Sequence, residues 1–472
     1  MGSDVESVTD VLIVGGGPAG MMAGITAAQS WPGKRVLLVR PEADAVVPCG
    51  IPYIFGTLGG TDEDLAGRAP FLSAGGRLVV DHVVAVDRGD RSAVLGRTGR
   101  VRWERLVLAT GSEPVLPPIP GRELSGVFTI HKNYEYLDRL LSVDLPAVRT
   151  LAVVGGGFIG VEFAEEVRKR GIEVHLIEQQ PHPLANSFDP EVSRRVEAVL
   201  GQVGVKLHTG TGVAAFEAGE GGERVGGVRL SDGSLVPCDA ALVALGARPN
   251  TRLAEGMGLT LSRSGGVWVD GFQRSREDPA IFAVGDCAHK QDFFTRHASH
   301  AMLASQAAAE GRIAGMNLYG LRLLRANAGT IAVYASRIAD LSFGVAGLTE
   351  ATARALGFSV VAGSVRLPDH HPATMPGTQE IHCRLLFDRV SERLLGGQVT
   401  GGATTAELLN TIAIAIQLRA TATDIASLQF GSHPRLTAPV HPVVAATGDA
   451  LVRWGGSGAD APGTTPQEVA DG

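Results

Sequence analysis

One pattern occurs twice in this chain and narrows its folding options more than any other feature. Val11-Leu-Ile-Val-Gly-Gly-Gly-Pro-Ala-Gly20 is an apolar run, a glycine turn and the start of an alanine-rich segment, and Leu151-Ala-Val-Val-Gly-Gly-Gly-Phe-Ile-Gly160 repeats it. Each apolar run is short and unalternating, which predicts a parallel strand buried on both faces. Each turn leads into a helical stretch and then into a second apolar run, at residues 35–40 and 173–178. The chain is therefore predicted to hold two βαβ units with G-x-G-x-x-G spacing, on Gly15, Gly17 and Gly20 and on Gly155, Gly157 and Gly160. Glycine there permits a tight turn and lets the backbone approach a pyrophosphate. The helix that follows offers the anion its N–H groups and the positive end of its dipole. A turn that binds nothing is the plainer reading of one copy. Two copies, each between a strand and a helix, point to two dinucleotides.

The ends of the second strands differ. Glu178 closes its strand eighteen residues after Gly160, near the ~20 expected of an acid that binds a ribose 2′-hydroxyl. No arginine follows closely to hold a 2′-phosphate, so NADH is favoured over NADPH there. In the first unit Arg40 takes the equivalent place and Glu42 follows two residues later. Either Glu42 reads the ribose, or the adenosine end is held in an unusual way, or both are ordinary loop charges.

Later segments return to the first unit. Leu106-Val-Leu-Ala-Thr-Gly-Ser112 and Ala280-Ile-Phe-Ala-Val-Gly-Asp286 are strands running into glycine turns, and between them lies Ala241-Leu-Val-Ala-Leu-Gly-Ala-Arg-Pro-Asn250. The first domain is thus predicted to be split, over 1–122 and 267–330, with a second nucleotide domain over 146–266 inserted. Residues 331–455 carry strand-like runs at 330–334, 360–365, 381–387 and 394–399 without glycine turns. A helix follows over 405–419, so this part reads as α+β. Residues 456–472 are rich in Gly, Ala, Asp and Pro and read as a disordered tail.

The totals exclude several functions. The 472 residues carry a net charge of −7 with no basic stripe, which argues against nucleic acid. No apolar run is long enough to cross a membrane, and the polar start MGSDVESVTD is no signal peptide. The cysteines at 49, 238, 287 and 383 have no metal-ligand spacing, so no metal is expected and a reducing cytoplasm fits. Cys49 stands alone in Val46-Val-Pro-Cys-Gly-Ile-Pro-Tyr53. By itself it could be a small buried hydrophobe, half of a disulfide, a metal ligand or a nucleophile.

The order GGGPAG, PCGIPY, LATGS, GGGFIGVE, GARPN and FAVGDCA, followed by an α+β end, resembles the FAD-dependent pyridine nucleotide–disulfide oxidoreductases. Within them it is similar to the single-cysteine branch of coenzyme A–disulfide reductases, NADH oxidases and persulfide reductases. The resemblance implies an α/β fold: a Rossmann-like FAD domain, an inserted Rossmann-like NAD domain and a C-terminal α+β dimerisation domain. It implies FAD on Gly15, Gly17, Pro18, Ala19 and Gly20, with Arg40 or Glu42, Pro48, Ala109, Thr110 and Gly111, and with Gly285 and Asp286 at the ribityl chain. It implies NADH on Gly155, Gly157, Phe158, Ile159, Gly160, Glu178 and Gly246. Phe158 would be the lid that nicotinamide displaces and Glu162 its neighbour. A helix starting near Ala301 would aim its N-terminus at the flavin.

The same resemblance makes Cys49 the redox thiol. The turn after Pro48 is expected to open a short helix that lowers the thiol pKa. Two-cysteine relatives close a C-x-x-x-x-C disulfide, but position 54 here is Ile, so Cys49 must work through a mixed disulfide, a persulfide or a sulfenic acid. His433-Pro434 matches the relatives' acid/base histidine, although Arg435 and Ala438 replace their Thr and Glu. The implied function is NADH-dependent reduction of a small disulfide or persulfide in a homodimer. The alternatives are an NADH oxidase acting on oxygen or peroxide, and a reductase of a protein electron carrier. Coenzyme A is doubtful as carrier, because residues 21–30 hold no arginine.

Overall fold

The computed structural model describes residues 6–455; the predicted tail lies outside them. Two five-stranded parallel sheets dominate the first part of the chain. One runs Ile281–Ala283, Arg105–Leu108, Val11–Val14, Val36–Arg40, Arg77–Val80. The other runs Val127–Thr129, Ala240–Val243, Thr150–Val154, Glu173–Glu178, Lys206–Thr209. The strand order is equivalent, and in each sheet the strand before the glycine turn is central. That strand marks the topological switch point, where a crevice opens beyond the carboxyl ends of the strands. The edge strand Val127–Thr129 lies ahead of residue 146, so the second sheet recruits chain from before the second glycine turn.

The apolar runs form these strands because they are covered on both faces: all of Val11–Val14 and Val36–Arg40 is buried. Helix Pro18–Ser30 starts with proline at its first position, where no N–H is needed. It packs on helix Ala304–Asn317 with backbones close together. A Cβ on Gly311 would fall 2.3 Å from the Ala19 carbonyl oxygen, and one on Gly315 2.7 Å from that of Ala23. Trp31 Nε1 donates to the Gly315 carbonyl at 2.9 Å and locks the far end.

By internal contacts the chain divides into two units, residues 1–332 with 336–339, and 333–335 with 340–472. In the second, strands Leu341–Gly347, Leu394–Gly401, Glu380–Asp388 and Val360–Pro368 form an antiparallel run. Helices Thr405–Gln417 and Pro442–Gly455 pack on this sheet. The strand expected over 330–334 is displaced to Tyr334–Ile338. Thr330 makes only an isolated bridge to Asp292, and Ala332 has φ +51°, which breaks an extended run. Among the described residues no helix is long and apolar enough to cross a membrane.

Candidate active site

The two glycine turns have nearly the same backbone. Gly15 and Gly155 sit at φ +106° and +107°. A Cβ on Gly15 would lie 2.1 Å from the Ala109 carbonyl oxygen, and one on Gly155 2.6 Å from that of Ala244. Gly20 and Gly160 are shut in the same way, with a Cβ 2.0 and 1.9 Å from the carbonyl oxygens of Gly15 and Gly155. Gly17 and Gly157, by contrast, have open space where a Cβ would go. Neither helix that follows is capped by a side chain. Each turn is closed on its inner side and open where unpaired N–H groups collect, as a pyrophosphate requires. Pro18 and Ala19 begin the first helix, and Phe158 and Ile159 the second. Ile159 is 47% exposed, and Phe158 leans on Phe188 with ring centres 5.9 Å apart. Gly246, at φ +93°, follows the neighbouring strand Ala240–Val243 of the second sheet.

Beside the first turn, Ala109, Thr110 and Gly111 are tied to the returning chain. Ala109 N–H donates to the Val14 carbonyl at 2.8 Å, and Thr110 Oγ1 to the Asn250 carbonyl at 2.6 Å. Gly285 and Asp286 follow the Ile281–Ala283 strand. Asp286 Oδ2 accepts from Ser112 Oγ at 2.7 Å and from Lys132 Nζ at 2.9 Å. Burial pushes the Asp286 carboxyl up, but the Lys132 charge and the two hydrogen bonds carry it below its ordinary range. Ser112 closes the LATGS motif and Lys132 lies in none, and the approach of both to a residue more than 150 positions away has no local signal.

Glu178 and Arg40 both end their strands. Glu178 accepts the Gly156 N–H at 2.6 Å and the Gln180 N–H at 2.7 Å. Arg40 is 2% exposed and donates to the Gly16 carbonyl at 3.2 Å and to the Ala43 carbonyl. Glu42 accepts from Asn133 Nδ2 at 2.6 Å and from the Tyr134 N–H at 3.0 Å.

Cys49 lies between the short Ala45–Val46 strand and the 3-10 helix Ile51–Phe55. It is the exposed one of the four cysteines; Cys238, Cys287 and Cys383 are buried. Ile54, at the place of a second redox cysteine, is fully buried. The expectation of a lowered thiol pKa is corrected: desolvation first and the Glu162 charge second raise it, against Lys132. The reason is local. A five-residue 3-10 helix that begins after the cysteine supplies little dipole, and the surrounding carboxylates oppose a thiolate.

Glu162, on helix Phe158–Arg168, has no cationic partner among the described residues. Its Oε1 accepts from Ser336 Oγ at 2.5 Å, and burial raises it to about 7 although that bond opposes the rise. One turn on, Glu166 accepts from the Thr57 N–H at 2.7 Å and from Lys169 Nζ at 2.7 Å. Arg170 Nε reaches the Phe55 carbonyl at 2.8 Å. These bonds staple the second turn's helix to the segment that follows Cys49.

Two other expected residues stand elsewhere. The helix expected near Ala301 begins at Ala304, because Ala298–Ser299 pairs with Lys290–Gln291 and keeps the chain extended beforehand. His433 is exposed in the second unit, in a turn where its Nδ1 accepts from the Arg435 N–H at 3.3 Å. No carboxylate orients it among the described residues. Three other histidines do have one: His370, with Nδ1 2.6 Å from Asp369 Oδ1, His175, 2.9 Å from Glu173, and His182, 2.5 Å from Glu197.

Two topological switch points in one chain, with an exposed thiol on which a buried acid of the second turn's helix acts, are what a two-dinucleotide oxidoreductase needs. Residues 9–311 match the pyridine nucleotide-disulphide oxidoreductase family and residues 334–443 its dimerisation domain. The chain belongs to that family and is an FAD-dependent NAD(P)H oxidoreductase. It is 29% identical over 449 residues to an NADH oxidase of Methanocaldococcus jannaschii, covering 93% of this chain and 98% of that one. It is 31% identical over 408 residues to an NAD(P)H coenzyme A polysulfide/persulfide reductase of Pyrococcus horikoshii, covering 83% and 87%. The solved NAD-dependent persulfide reductase from A. fulgidus superposes with a TM-score of 0.85 at 27% identity, over 94% of this chain and 83% of that one.

Proposed function

We propose that this chain is an NADH-dependent reductase of small disulfides or persulfides that works through Cys49. The observation that carries this reading is the single exposed thiol within reach of the Asp286 and Glu162 charges, with fully buried Ile54 where a second cysteine would be needed. FAD would be held by the Gly15–Gly20 turn, Thr110-Gly111 and Asp286, and when bound it supplies the two-electron link between nicotinamide and sulfur. Glu178 would take the ribose of the nicotinamide nucleotide and disfavour a 2′-phosphate by charge.

The chain's own part begins with the Cys49 sulfur attacking a disulfide R–S–S–R. One S–S bond forms, one breaks, and R–S⁻ leaves with a proton. Two electrons from NADH then release the second thiol, so that R–S–S–R, NADH and H⁺ become two R–SH and NAD⁺. With a persulfide the products are R–SH and H₂S. The raised thiol pKa means that Cys49 rests protonated near neutrality, so its proton must be shed as the attack occurs. Glu162 would stand beside the nicotinamide with its carboxyl held by Ser336. A homodimer built on residues 334–443 is part of the proposal, with His433 Nε2 as proton carrier for the leaving thiol.

The test is NADH consumption by the flavin-loaded protein without oxygen, given a panel of small disulfides and persulfides. Wild type should turn over with at least one acceptor, and Cys49→Ser should lose about a thousandfold or more of that rate. Turnover that waits for air would instead identify an NADH oxidase. Full disulfide turnover in Cys49→Ser would remove the thiol mechanism. A pH–rate profile unaltered in His433→Ala would remove that histidine.

A further inference from the structure

A buried ion pair lies behind Asp286 and has no place in the reaction above. Lys290 is 4% exposed and Glu310 1%, with Nζ and Oε2 2.7 Å apart. They come from different elements: Lys290 follows the Gly285–Cys287 turn, and Glu310 is in the middle of helix Ala304–Asn317. Between them they take both backbone groups of one residue. The Gly285 N–H donates to Glu310 Oε2 at 2.9 Å, and the Gly285 carbonyl accepts from Lys290 Nζ. The other Glu310 oxygen accepts from Gln306 Nε2 at 3.1 Å, and Lys290 also reaches the Ala288 carbonyl at 3.3 Å. Gly285 has φ +71°, and a Cβ there would lie 2.7 Å from the Ala19 methyl, so the held residue rests on the first glycine turn's helix.

Burying two charges is costly, and an apolar pair of similar volume is often as stable or more so. Stability alone is thus a poor reason for such a pair. Placement is a better one: with both backbone groups of Gly285 fixed, the next residue has little freedom in where its side chain starts. We infer that Lys290 and Glu310 are positioning residues of the flavin site, gripping Gly285 so that Asp286 points at the ribityl chain. This rests on the reading of Asp286 as a flavin contact.

The experiment measures flavin released on dilution of the holoprotein, followed by flavin fluorescence, together with thermal unfolding. The proteins are wild type, Asp286→Asn, Lys290→Met/Glu310→Met and the triple variant. The double variant should keep a melting temperature near wild type and weaken FAD about tenfold or more, and the triple variant should be no weaker than Asp286→Asn alone. An unchanged FAD affinity in a folded double variant overturns the inference, and so do losses that simply multiply in the triple. If the double variant does not fold, Glu310→Gln, which keeps the side-chain shape, is read by the same two criteria. A normal FAD affinity in Asp286→Asn would instead strike the reading of Asp286.

Discussion

The two glycine turns share one backbone and differ in what stands beneath it. Under the second, the Glu178 carboxylate accepts the N–H of the middle glycine, Gly156. Under the first, the Arg40 guanidinium donates to the carbonyl of the middle glycine, Gly16. A Cβ on Gly156 would press on the Glu178 stem at 3.0 Å, and one on Gly16 on the Arg40 stem at 2.2 Å. An acid and a base thus brace equivalent turns, one through the N–H and the other through the carbonyl of the middle glycine. The two turns are braced by opposite charges, and only the acid brace carries acceptor oxygens. The helices differ as well. Pro18–Ser30 carries no charged residue, whereas Phe158–Arg168 brings in Glu162, Glu165 and Glu166.

The largest effect should come from the turns themselves. Gly15→Ala places a methyl against the Ala109 carbonyl in a left-handed conformation, and bound flavin should fall about tenfold or more. Gly155→Ala should leave flavin bound and raise KM for NADH about tenfold or more. Absorbance of the purified proteins and steady-state kinetics read the two. If Gly15→Ala keeps its flavin and loses NADH affinity, the turns have been assigned the wrong way round.

The braces come next. If Glu178 takes the ribose as proposed, Glu178→Ala should raise KM for NADH about tenfold with kcat little changed, since such a contact is uniform binding. Arg40→Ala should cost about 1–3 kcal/mol of stability through the lost packing and hydrogen bonds, seen by denaturant unfolding, with a smaller change in flavin affinity. Flavin affinity falling as far in Arg40→Ala as NADH affinity does in Glu178→Ala would make the two positions equivalent and break the comparison.

An effect seen only as pH changes is expected at Glu162. Its folded carboxyl is raised from 4.5 to about 7, so the stability tied to its proton is complete below about 4.5 and is lost as pH rises through about 7. The whole shift corresponds to at most about 3 kcal/mol. Glu162→Gln should flatten that part of the stability profile. It should also lower the Cys49 thiol pKa by removing the second-largest cause of its rise, which iodoacetamide labelling against pH would show as faster reaction near pH 8. Labelling that slows in the variant would mean that the carboxyl assists the thiolate.

What was legible in the sequence was local. The strand–turn–helix units, Glu178 at its strand end and the isolated Cys49 are all short-range patterns, and glycine spacing reports directly on backbone that no side chain could adopt. The α+β character of the last third was visible too, but the strand at Tyr334–Ile338 and the helix start at Ala304 shifted, because a left-handed Ala332 and a short strand pair outweighed local preference. The thiol shift was missed for a different reason: its sign depends on desolvation and on a carboxylate over a hundred positions away.

The sequence by itself determined two glycine turns, one isolated thiol and the family to which they belong, because each is written in contiguous residues. Only the tertiary structure decided that Ser336 holds Glu162, that Ser112 and Lys132 meet on Asp286, and that Lys290 and Glu310 grip Gly285. Most of those contacts join residues far apart in the chain, and their strength comes from burial, which exists only once the sheets and helices have closed around them.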